Sequence, residues 1–222
     1  MEFLIKLTDR LRNFSDYVSV SNQTEQGVVL GEYRMTLSDV IKCLTDSGVE
    51  GTRTESPFLP KNCIKLVTKL NAYEVFIEIP KRQWLVTYNQ EQHHIGFPRM
   101  VLRYDIFEDQ VRSMQLVAVR EEKGRINGET PLYFFPFSNV DKENSKVCMG
   151  NNQVPAVKCL SQLDTMHNLF FSAPFGDDYG CITSEGQSMT KLFSLLKDTS
   201  FNDEWLVPIG TTFNEYFSLD SN

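Results

Sequence analysis

The sequence predicts an α+β fold, and three observations carry that expectation. Between Asn62 and about Val119 apolar residues recur with a period of two and are rich in β-branched and aromatic side chains, as in CIKLVTKL, EVFIEIP, WLVTY, MVLRYDIF and SMQLVAV. Helical spacing precedes that stretch in TLSDVIKCLTDSG and returns after it in VKCLSQLDTMHNLFF and GQSMTKLFSLLKD. At 222 residues and 41% hydrophobic content, the chain can bury one good core. The simplest arrangement is an antiparallel meander sheet flanked by helices, with residues 1–26 as an N-terminal extension and 27–222 as the α+β domain.

Each element has a local reason. The Ser/Asn/Gln-rich VSVSNQTEQG reads as a surface connection, and VVLGEY as a short strand. The first helix has Thr36 as its cap, Asp39 in the first turn and an apolar stripe of Leu37, Val40, Ile41 and Leu44, with Gly48 to end it. Within the strand region, PKRQ is expected to close a hairpin between Ile79 and Trp84. NQEQHHIGFP reads as a longer loop in which Pro98 interrupts any continuous ladder.

Charge and composition exclude several function classes. A net charge of -7 and a pI near 5.1 argue against nucleic acid as a partner, since that affinity rests on clustered Lys and Arg. The amino-terminal MEFLIKLTDRLRNF is too short and too interrupted by charge for a signal peptide, and no apolar run approaches the ~20 residues that span a bilayer. The five cysteines, Cys43, Cys63, Cys148, Cys159 and Cys181, are odd in number, scattered and without CxxC spacing. Reduced thiols in the cytoplasm fit that usage better than a disulfide framework.

Phosphate-cradling glycine motifs, HExxH, GxSxG and closely spaced Cys/His ligand sets are absent, so neither a cofactor nor a metal is expected. His93-His94 reads as a polar loop, because adjacent residues in extended chain point in opposite directions. Cys43, Cys63 and Cys159 read as small core residues, and Cys181 lies in a loop with no evident base. His167 is either a base or, more in keeping with a lone helical histidine, a structural residue.

Cys148 stands apart. It lies at the edge of the polar segment PFSNVDKENSKVCMGNN, a setting that suggests exposure. Asn139 is nine positions upstream, and the intervening DKENS can fold back and bring its amide toward the thiol. That amide would stabilise an oxyanion or brace the loop; alternatively it satisfies backbone groups in a turn.

The same residues carry a resemblance. PFSNVDKENSKVCMGNN is similar to the active-site stretch of ubiquitin-conjugating enzymes, where a His-Pro-Asn turn precedes a short loop and an Ile/Val-Cys pair. TPLYFFPFSNVDKENSKVCMGNNQVP and LFFSAPF more closely resemble prokaryotic ubiquitin-conjugating-enzyme-like family D, known as PRTRC system protein B, of a plasmid- and phage-associated gene system. The likeness covers most of residues 28–176. Phe137-Ser138 replace His-Pro, and Gly176-Asp177 stand where that family tends to have Thr-His, which leaves Asp177 or Asp178 as a substitute base.

The resemblance implies a ubiquitin-conjugating-like fold and a carrier thiol. Cys148 would accept a ubiquitin-like protein from a ThiF-like, ATP-using activating enzyme and pass it to an amine of a protein acceptor, with Asn139 steadying the oxyanion or the loop. No bound cofactor is needed for that chemistry. The alternative is a noncatalytic module of the same fold that scaffolds a protein complex. An unrelated cysteine hydrolase or redox sensor would need a base or a resolving cysteine that the sequence does not nominate.

Overall fold

The computed structural model describes residues 2–46, 55–69, 72–122 and 124–218. The chain divides into two compact units, Met1–Ser56 and Pro57–Asn222. In the first unit, β1 (Glu2–Lys6), β2 (Tyr17–Gln23) and β3 (Val29–Thr36) form an antiparallel sheet in that order, followed by α1 (Leu37–Asp46). VSVSN is therefore strand, not surface connection. Val18 and Val20 alternate with serines, so its polar residues are the outer face of a half-buried strand.

The Thr36 hydroxyl accepts from the Asp39 amide at 3.1 Å and donates to the Asp39 carboxylate at 2.6 Å, which caps α1. Val40 packs with Val18 and Val20, while Ile41 and Leu44 are exposed. The expected stripe is thus only half used, since a three-stranded sheet covers a narrow band of the helix. Gly48 lies outside the described residues.

The second unit is built on a six-stranded sheet of β4 (Cys63–Lys69), β5 (Ala72–Ile79), β8 (Arg99–Phe107), β9 (Gln110–Val119), β10 (Pro131–Tyr133) and β11 (Pro208–Thr212), ordered β11-β10-β9-β8-β5-β4. A separate two-stranded ribbon, β6 (Arg82–Tyr88) and β7 (Glu91–Phe97), is inserted between β5 and β8 in sequence. This corrects two expectations. PKRQ closes no hairpin, because β5 pairs with β8, from Ala72↔Phe107 to Ile79↔Met100, while β6 pairs with β7.

NQEQHHIGFP, in turn, is mostly strand. Asn89 and Gln90, with φ of 50° and 66°, form the two-residue turn that joins β6 to β7. Ile95 and Phe97 are buried on one side of β7. Gly96 lies between them, where a side chain would collide with the backbone of Thr199 and Phe201. His94 reaches Asp198 at 3.2 Å and His93 meets the Phe193 ring edge-on, so the two histidines diverge as extended geometry requires.

Both faces of the large sheet are covered. Val75, Ile77, Met100, Leu102, Tyr104 and Leu116 join the main core with α2 (Leu163–Ser172) and α3 (Met189–Leu196). The alternate residues Phe76, Val101 and Val117 pack under Phe213 and Phe217 of α4 (Phe213–Ser218). An aromatic cluster ties the ribbon to the chain leaving β10: Phe97 lies 4.3 Å from Phe137, and Phe135 5.7 Å from Phe170, measured between ring centroids. The architecture is mixed α+β, mostly antiparallel, and compatible with a ubiquitin-conjugating-like fold. No helix among the described residues is long and apolar enough to cross a membrane.

Candidate functional site

Phe135 and Phe137 bury their rings in the core, which anchors the chain just before Ser138 and Asn139. Asn139 then takes φ of 66°, a left-handed conformation that Asn tolerates better than most residues. The chain doubles back through a tight hairpin. Val140 bridges Val147, the Asp141 amide donates to the Lys146 carbonyl at 2.9 Å, and the Cys148 amide donates to the Asn139 carbonyl at 2.8 Å. The Asp141 carboxylate accepts from the Glu143 amide at 2.7 Å, turning DKENS through its own side chain.

Asn139 and Cys148 are thereby neighbours. The Asn139 side-chain amide donates to the Pro174 carbonyl at 2.9 Å, bracing the hairpin against the loop that follows α2. Farther on, Asn152 is tied to α2 itself, donating to the Leu169 carbonyl at 3.1 Å. Between these segments opens a cavity of about 340 Å³ whose lining includes Asn139, Cys148, Asn152, Pro174, Asp178 and Tyr179. Cys148 is half-buried there, accessible from the cavity.

The facing loop is pinned to the ribbon. The Phe175 amide donates to the Thr87 carbonyl at 2.8 Å, and the Tyr88 hydroxyl donates to Asp177 at 3.0 Å. Of the two acids considered as bases, Asp177 is thus held by Tyr88, and Asp178 lines the cavity. Tyr179 was not singled out by sequence reasoning. Its phenol lines the cavity with Cys148, and the charge on Cys148 and hydrogen bonding with it, then burial and the nearby Asp141 and Asp178 carboxylates, raise its pKa above the ordinary value. The available signal was FGDDYG, a glycine-flanked loop with an aromatic hydroxyl beside two acids.

The sequence model of prokaryotic E2 family D matches residues 38–209. The chain belongs to that family. No curated protein and no solved structure matches it. The matched span contains Asn139, Cys148, Asp178 and Tyr179, so the whole cavity belongs to the family D, ubiquitin-conjugating-like part of the chain.

Other sequence-nominated residues of this family D protein lie elsewhere. His167, on α2, does not line the cavity; its ring meets Trp84 edge-on at 5.5 Å. Burial, and then the Arg82 charge, hold its pKa below the ordinary value. Cys43 and Cys159 are exposed, contrary to their reading as core residues. Cys159 precedes the 3-10 turn Leu160–Gln162 rather than lying inside a helix, and the Ser161 hydroxyl and amide lower its pKa. Cys63 is half-buried at the start of β4, and burial raises the pKa of its thiol. Cys181 is also half-buried, its Sγ donating to the Gln187 carbonyl at 2.7 Å, and burial raises its pKa too. Among the described residues no cluster of His, Cys, Asp and Glu is arranged to hold a metal ion.

Proposed function

We propose that the chain carries a ubiquitin-like modifier as a thioester on Cys148 and passes it to an amine of a protein acceptor. One observation carries this reading: Cys148, its amide fixed by Asn139, opens onto a cavity that also holds a phenol and a carboxylate. In the loading step Cys148 Sγ attacks the thioester carbonyl of a modifier held by a ThiF-like activating enzyme. A new S–C bond forms, the old S–C bond breaks, and the departing thiolate takes up the proton that Cys148 gives up.

In the discharge step the acceptor amine attacks the same carbonyl. An N–C bond forms, the Cys148 S–C bond breaks, and the proton lost by nitrogen passes to Asp178 or to the released sulfur. The Tyr179 phenol, which lines the cavity with Cys148, donates to that sulfur as negative charge returns to it. Asn139 acts as the brace of the loop. A free thiol is the working form, which suits a reducing compartment such as the cytoplasm.

Trapping tests the reading. With activating enzyme, modifier and ATP, Cys148→Ser should form an oxygen ester that resists thiol reagents, whereas the native chain forms an adduct that thiols release. A thiol-releasable adduct on Cys148→Ser would contradict it.

A second reading, a noncatalytic binding module, is favoured by one observation. Among the described residues no histidine lines the cavity, and the Asn139 amide is engaged with Pro174 rather than directed at a reacting oxygen. On that reading Cys148→Ala retains every partner contact and biological activity.

A further inference from the structure

The hairpin that presents Cys148 is polar and exposed at Glu143 and Asn144, yet its returning limb is bridged to β9. Gln115 of β9 is buried, and its side chain points two ways: Oε1 accepts from Arg103 Nη1 at 2.9 Å, and Nε2 donates to the Asn144 carbonyl at 3.0 Å. Arg103 is itself buried between acids, with Nη2 3.4 Å from Glu74 and Nε 3.0 Å from Asp105. The register brings these side chains within reach, since Arg103 pairs with Gln115 across β8 and β9, and Glu74 with Asp105 across β5 and β8.

We infer that Gln115, oriented by Arg103 and Glu74, is a positioning residue that holds the Cys148 hairpin in register on the edge of β9. This inference rests on the carrier-thiol reading for its functional meaning, though not for its geometry. The side-chain chemistry is selective. An amide presents an acceptor to the guanidinium and a donor to the carbonyl at once; a carboxylate lacks the donor, and a thioether offers neither in strength.

The consequence reaches Cys148 through the backbone. Gln115 bridges Lys146, the Leu116 amide donates to the Ser145 carbonyl at 2.9 Å, and the Val147 amide donates to the Met114 carbonyl at 2.9 Å. From α4, the Tyr216 hydroxyl donates to the Ser145 hydroxyl at 2.8 Å, a second anchor on the same turn. In an extended limb a slip of one residue reverses every side chain, so losing this register turns the Cys148 thiol away from Tyr179 and the cavity.

Hydrogen exchange in the full chain tests this without any modifier or activating enzyme. In Gln115→Met the amides of residues 145–148 should exchange about tenfold faster, the scale of one lost buried hydrogen bond, while β8 and the rest of β9 keep their protection. Gln115→Asn, one methylene shorter and gentler on the fold, should show the same local pattern at smaller amplitude. Val101→Ala, which weakens the same side of the sheet without touching the hairpin, should not. Unchanged exchange at 145–148 in both Gln115 variants would overturn the inference, as would acceleration spread equally over β8 and β9. Where thioester loading is observed, Gln115→Met should lower its maximal single-turnover rate and leave half-saturation unchanged. If the native chain does not load at all, the carrier reading fails while the exchange result still judges the positioning role.

Discussion

The amide of Cys148 donates to the carbonyl of Asn139 at 2.8 Å, and the Asn139 side chain donates in turn to Pro174 at 2.9 Å. One residue therefore fixes the thiol's backbone and couples it to the opposite wall of the cavity. Asn139→Ala loses the second bond and puts into the left-handed conformation a residue that tolerates it less well than asparagine, which together should cost about 1–2 kcal/mol. Asn139→Gly loses only the bond and should cost less. Chemical denaturation of the two variants separates the terms, and a larger loss for glycine would refute the assignment.

Tyr179 should respond to Cys148. A neighbouring anion disfavours phenolate, so the folded-state pKa of Tyr179 is raised above 10. Removing the anion in Cys148→Ala should move the ionisation midpoint back down toward 10, visible as an earlier component in ultraviolet titration. Because Cys148 opens onto the cavity, its thiol should be alkylated in the folded chain. Alkylation must be followed by peptide mass, because exposed Cys159 is a competing thiol whose pKa is lowered by Ser161.

His167 should make the fold sensitive to mild acid. Its folded pKa lies below 6.5 because of burial and the Arg82 charge, while the unfolded histidine titrates near 6.5. Between those two values the unfolded chain binds the extra proton. Stability contributed by the neutral ring is therefore present above about 6.5 and lost as pH falls from there toward the folded pKa. In His167→Gln that part of the pH dependence should disappear from denaturation midpoints measured between pH 7 and 5.

On the resemblance to ubiquitin-conjugating enzymes, Phe137 would take the place of a histidine; its ring is 0% exposed, 4.3 Å from that of Phe97. Phe137→His should therefore lower stability by about 3 kcal/mol through lost packing and a poorly satisfied buried imidazole. It should not accelerate thioester discharge, because the position faces the core rather than the cavity. A variant as stable as the native chain would show that the site tolerates a polar ring.

The strands of the large sheet were legible where both signals agreed. In β5, β8 and β9 dense β-branched and aromatic residues mark strands buried on two faces. Polarity concealed β2 and β7, whose exposed faces carry Ser, Gln and His, and the Asn89-Gln90 turn lacks the glycine that usually advertises such a hairpin. Partner choice was hidden too, since β6 follows β5 directly yet pairs with β7. At the site, proximity of Asn139 and Cys148 could be read from the turn-forming DKENS between them. Tyr179 could not, because its approach depends on Phe175 and Asp177 being tied to the distant β6.

Intact-mass measurement of loading tests the carrier thiol most directly. The chain is mixed with ATP, a ThiF-like activating enzyme shown to be active, and its ubiquitin-like modifier, with Cys148→Ala alongside. The expected result is a gain of one modifier that thiol treatment reverses, mapping to Cys148 and absent from the variant. No gain with active upstream proteins, or an equal gain on Cys148→Ala, would contradict it.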